Sequence, residues 1–96
     1  MPAVIFSRAA VRDLDRVVTF LEEKNPKAAL DAKERIIELL ELLQRHPLAG
    51  RSIRENPATR NIVTGYGKSG YVFRYRIDSA GNIVILRIWH GREDRP

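Results

Sequence analysis

Two neighbouring stretches decide the fold: Gly70-Tyr71-Val72-Phe73-Arg74-Tyr75-Arg76-Ile77-Asp78 and Asn82-Ile83-Val84-Ile85-Leu86-Arg87-Ile88-Trp89-His90. Both are rich in β-branched and aromatic residues, and only Ser79-Ala80-Gly81 separates them, so they predict an antiparallel hairpin. The turn pairs Asp78 with Asn82 or with Ile83. The second register sets Arg76 against Ile85, Arg74 against Arg87 and Val72 against Trp89. Because strand residues alternate sides, Tyr71, Phe73, Tyr75 and Ile77 then share a face with Val84, Leu86, Ile88 and His90, the expected core face. The opposite face carries Val72, Arg74, Arg76, Ile83, Ile85, Arg87 and Trp89.

Working outward, Arg60 to Tyr66 reads as a third strand, joined to the hairpin through Gly67-Lys68-Ser69. Before it, Pro47 to Thr59 holds two prolines, a glycine and no sustained periodicity, which predicts a loop. From Arg8 to Lys24, Val11, Leu14, Val18 and Leu21, widened by Val17, recur at helical spacing, and Ser7 is placed to cap the first turn. Asn25-Pro26 ends that helix and opens the next, because proline disfavours helical geometry in the residue before it and suits a first helical turn. Ala29, Ala32, Ile36, Leu40 and Leu43, with Leu39 alongside, carry the second helix to Arg45, where Pro47 stops it. Ala3 to Phe6 is a short apolar strand. The expectation is an α+β fold in one domain over residues 1–96: an N-terminal strand, a helical hairpin, and a three-stranded antiparallel meander packed on the helices.

The 96 residues give room for one core, and 44% apolar with 30% charged residues is a globular mixture, not a disordered or fibrous one. No run approaches the roughly 20 apolar residues of a membrane span. The absence of cysteine excludes a disulfide framework and a thiolate zinc site. The N-terminus carries no basic region followed by an apolar segment, so a cytoplasmic location is expected. The net charge of +5 is uneven: residues 1–48 balance, whereas residues 49–96 hold nine basic groups against four acidic ones. That half should attract nucleic acid, phosphate or an acidic protein.

Arg74 and Arg87 facing each other across a strand pair would repel by a few tenths of a kcal/mol to about one. Such a pair, together with Arg76, Ile83, Ile85 and Trp89, suits a partner with an apolar stripe and acidic groups better than it suits an isolated domain. His46, at a helix end, reads as structural. His90 closes the last strand and is either a general base or a strand-end residue. The two histidines have no metal-site spacing, and no metal or cofactor is expected. Gly65 to Gly70 is glycine-rich but lacks the spacing and following helix of a phosphate loop, and reads as a turn.

The order of elements, the Gly70–Asp78 strand and the ending Ile85-Leu86-Arg87-Ile88-Trp89-His90-Gly91-Arg92-Glu93-Asp94 resemble the RelE/ParE superfamily of bacterial type II toxins. The resemblance covers nearly the whole chain and implies a toxin encoded beside an antitoxin whose C-terminal segment wraps and neutralises it. RelE-like members cut mRNA in the ribosome and commonly carry lysines on the first strand of the meander and an arginine after the Gly-Tyr pair. The matching positions here are Val63, Gly65 and Val72. The His-Gly-Arg-x-Asp ending is typical of ParE-like members, which poison DNA gyrase without cleaving RNA. The resemblance therefore implies a non-enzymatic, ParE-like gyrase inhibitor serving plasmid or chromosomal segment stabilisation, with no membrane partner. Arg74, Arg76, Ile83, Ile85, Arg87, Trp89 and Arg92 are the expected antitoxin or target contacts. The alternative is a metal-independent, ribosome-dependent mRNA endoribonuclease using His90 with Arg74, Arg87 and Arg92.

Overall fold

The computed structural model describes residues 2–64 and 70–91. Its elements run β1 (Val4–Phe6), α1 (Arg8–Lys24), α2 (Pro26–Arg45), β2 (Arg51–Ser52), β3 (Thr59–Val63), β4 (Tyr71–Ile77) and β5 (Ile83–His90). A five-stranded sheet in the order β1-β5-β4-β3-β2 is backed by the helical hairpin, giving the expected α+β architecture. β1 lies parallel to β5, and every other pairing is antiparallel.

Local chemistry sets the element boundaries. The Ser7 hydroxyl accepts the Ala10 N–H at 3.0 Å and donates to the Leu86 carbonyl at 2.9 Å, so one side chain both caps α1 and ties it to β5. Asn25 ends α1 through its own N–H, which donates to Leu21, and starts α2 by accepting the Lys27 and Ala28 N–H groups. The Pro47–Thr59 segment is not all loop, because Arg51 and Ser52 pair with Asn61 and Arg60. A two-residue strand has no periodicity that a sequence pattern could reveal.

The core joins Ala10, Val17, Ile36, Leu39 and Leu43 from the helices to Tyr71, Phe73, Tyr75, Ile83, Ile85 and Ile88 from the sheet. The α1 stripe is rotated from the expected one: Val11 is 55% exposed, whereas Ala10 and Asp13 are buried. Tyr75 is buried, yet its hydroxyl donates to Pro47 O at 2.7 Å and accepts from Gly50 N–H at 2.9 Å. Arg60 donates to the Gly50 carbonyl at 2.7 Å from the same side of the sheet. Together these bonds hold the turn that leads from α2 into β2.

The β4–β5 register confirms the opposed pairs Arg74–Arg87 and Val72–Trp89, the Asp78 N–H donates to the Asn82 carbonyl as in the first of the two turn pairings, and the pair Arg76–Ile85 is corrected. A β-bulge falls between Arg74 and Tyr75, so Arg76 meets Val84, Tyr75 meets Ile85 and Ile77 meets Ile83. Leu86 is the extra residue. It reverses the alternation along β5, so Ile83 and Ile85 join the core face while Val84 turns outward.

Candidate binding face on the sheet

Because β2, β3, β4 and β5 are in register, four side chains fall in one row across the sheet: Arg51, Asn61, Arg74 and Arg87. Val63, Val72 and Trp89 form the next row toward one end. Thr59, Arg76 and Val84 form the row on the other side. This is the side of the sheet turned away from the core cluster, and it carries a belt of arginine between two partly apolar rows.

The repulsion expected of Arg74 and Arg87 is relieved in two different ways. Arg74 donates its Nε–H to Asn61 Oδ1 at 3.1 Å and lays its guanidinium over the Trp89 ring, 5.1 Å from the centroid. Arg87 turns to Asp13 of α1, donating from Nε to Oδ2 at 2.8 Å and from Nη2 to Oδ1 at 3.2 Å. The same Oδ2 accepts the Ile88 N–H at 2.9 Å, and Arg16 Nη2 reaches the Ile88 carbonyl at 3.4 Å. β1 pairs with β5 only from Ile83 to Ile85, so beyond that point α1 side chains satisfy the backbone of β5 where a neighbouring strand would.

Asp13 is only 5% exposed. Burial pushes its carboxyl upward, but the Arg87 hydrogen bonds, the Ile88 N–H and the charges of Arg87 and Arg16 outweigh it, leaving the carboxyl below the usual aspartate value. The same bonds raise the Arg87 guanidinium above its ordinary value.

The expected contact residues therefore separate. Arg74 and Arg76 share the outward face, and Arg76 is exposed. Arg87 shares it too, but Asp13 holds its guanidinium. Trp89 lies on it beneath Arg74 and is only 5% exposed. Ile83 and Ile85 are fully buried and cannot meet a partner; the bulge at Leu86 is the reason. Arg92, Gly65 and the Gly67-Lys68-Ser69 turn lie outside the described residues. His90 is half-buried, opposite Tyr71, with the two rings edge-to-face at 5.1 Å. Among the described residues no three His, Asp or Glu side chains group to hold a metal ion. None of the described helices is long and apolar enough to cross a membrane.

Three members of this arrangement escaped the sequence reading: Asp13, Arg51 and Asn61. Asp13 had a signal, since it is a charge on the helix face that also carries Ala10 and Val17, at steps of three and four. Arg51 and Asn61 had none, because only the β2–β3 register brings them into the row.

The family model described as ParE toxin of type II toxin-antitoxin system, parDE, matches residues 4–95. The curated protein Toxin RelE1 of Caulobacter vibrioides is 38% identical over 92 residues, spanning 96% of each chain. Toxin RelE3 of the same organism is 34% identical over 95 residues, 99% of this chain and 100% of that one. A solved structure titled chromosomal ParDE TA system from P. aeruginosa superposes with a TM-score of 0.73 at 26% identity, covering 94% of this chain and 96% of that one. With arginines belted across a sheet backed by a helical hairpin, and a family match over nearly its full length, the chain belongs to the ParE family of type II toxin–antitoxin toxins.

Proposed function

We propose that this toxin acts on DNA gyrase by binding, without cleaving RNA, and that its antitoxin neutralises it by covering the arginine belt. The observation that carries the first part is the row Val63–Val72–Trp89. RNA cleavage without a metal needs a base for the 2′-hydroxyl and positive groups for the charge that develops on phosphate. Two positions at which ribonucleases of the superfamily commonly place cations are here opposed valines, beside an indole. Val63, 57% exposed, and the half-buried Val72 offer apolar contact to a protein target and no charge to a phosphodiester.

His90, at the end of β5, favours the second reading, a ribosome-dependent endoribonuclease, and the curated relatives carry the RelE name. The two separate cleanly in solution. Purified toxin is expected to inhibit gyrase supercoiling, read on topoisomer gels, and to leave ribosome-bound mRNA intact, read by primer extension. Cut mRNA with unaffected supercoiling overturns the gyrase assignment. His90→Ala is expected to retain toxicity in cells.

For the antitoxin, the belt calls for a segment bearing acidic groups beside apolar ones, lying over the helical hairpin and reaching Arg74 and Arg76. Arg74→Ala with Arg76→Ala is expected to weaken the complex by roughly ten-fold or more, read by calorimetry, since charge-assisted bonds contribute about 1.5–3 kcal/mol each. Unchanged affinity removes these residues from the interface. Arg87→Ala is unsuitable for this measurement because its guanidinium belongs to the Asp13 clasp.

A further inference from the structure

The arginines around the sheet divide by whether the fold uses them. Arg60 spends its guanidinium on the Leu48 and Gly50 carbonyls, Arg16 reaches the Ile88 carbonyl, and Arg87 is closed on Asp13. Those three are structural. Arg51 and Arg76 are exposed, and among the described residues neither they nor Arg74 form an ion pair.

Arg74 is held in place without being neutralised. Asn61 takes its Nε–H at 3.1 Å and Trp89 covers one face of the guanidinium at 5.1 Å, which leaves the edge carrying the two Nη nitrogens to meet an oxyanion. A side chain pinned at two points has little freedom left to lose on binding. Its neighbour in the row shows how an oxyanion sits on this belt, since the Asp13 carboxylate receives two hydrogen bonds from Arg87, of 2.8 and 3.2 Å. Register sets the spacing. Arg74 and Arg76 are two residues apart on β4, or about 7 Å, and Arg51 lies two strands from Arg74, or about 10 Å.

We propose that Arg51, Arg74 and Arg76 bind the phosphate backbone of the DNA that gyrase holds, while the adjoining Val63 and Val72 meet gyrase itself. A phosphodiester strand is the occupant because three cations spread over about 10 Å, with no anion of their own, call for negative charge repeated at short intervals. Each DNA strand presents one such charge about every 3.4 Å of helix axis, in a group that a guanidinium can grip with two hydrogen bonds. The inference rests on the gyrase reading above and adds the second material that the toxin touches there. Neutralisation is then a competition, in which the acidic groups of the antitoxin exclude DNA from the same arginines.

Arg51→Ala with Arg76→Ala isolates the contact, because both side chains are exposed and stand outside the Asp13 clasp. Binding of the toxin to purified gyrase is measured over a range of salt, with and without a linear DNA duplex. The duplex is expected to tighten wild-type binding by roughly ten-fold or more. The double variant should lose that gain and flatten the slope of log K against log salt by about two, one for each arginine, while binding to gyrase alone stays within about two-fold. Wild type that binds equally with and without duplex, or a double variant that keeps the DNA-dependent gain, overturns the DNA contact and leaves the gyrase reading intact. Equal losses in both conditions put the belt on an acidic surface of gyrase and overturn the DNA contact as well. No binding to gyrase in either condition overturns both readings.

Discussion

Asp13→Ala is expected to lower the stability of the fold by about 2–3 kcal/mol, read as a shift of the urea midpoint. The substitution strands a backbone N–H at Ile88 and releases Arg87 beside Arg74, and breaking a buried pair from one side typically costs about 3–5 kcal/mol. The lower figure applies because the Arg87 side chain is 38% exposed and water recovers part of the loss. Asp13→Asn should fall between wild type and Asp13→Ala, since an amide can still accept from Ile88 but cannot offer two anionic oxygens to the guanidinium. The clasp also fixes a pH dependence. The folded carboxyl ionises below its unfolded value of about 3.9, so its contribution is complete above that pH and disappears as the pH falls through the lower folded value. Over that window the wild type should lose stability more steeply than Asp13→Ala does.

Gly70→Ala is expected to cost about 3 kcal/mol or more, whereas Gly81→Ala costs about 1 kcal/mol. Both glycines sit in left-handed backbone, at φ +62° and +86°, so the conformational penalty is similar. They differ in space. A Cβ on Gly70 would stand 2.1 Å from the Thr64 carbonyl oxygen and 3.2 Å from Val63 Cγ1, whereas one on Gly81 meets nothing within 4 Å. The difference between the two variants therefore measures how closely β3 and β4 approach at that end of the sheet. Equal thermal midpoints would show that the approach carries no cost.

What the sequence displays, and what it hides, follows from the range of each interaction. Ser7 as a cap, the break at Asn25-Pro26 and the two helices are local chemistry, and each is legible within a few residues. The parity of β5 is not. Ile83-Val84-Ile85-Leu86 is apolar at every position, so alternation has no polar mark to count from, and one bulged residue at Leu86 moved Ile83 and Ile85 from the expected surface into the core. Arg74 with Arg87 and Val72 with Trp89 remained correct because they lie on the other side of the bulge. Asp13 finds its partner 74 positions away, and the arginine belt exists only once four strands are in register. The outward face of the sheet was thus half visible: its cations could be named, but not which of them the protein already uses to hold itself together.

The position of β1 has a bearing on synthesis. It lies parallel to β5, with Ile83 N–H bonded to the Ala3 carbonyl, so β1 waits for a strand made long after it. Contacts between distant parts of a chain are slow to close, and these cannot close before the later strand has been made. A nascent copy therefore has no completed sheet until β5 has left the ribosome, and its arginine belt comes together only then.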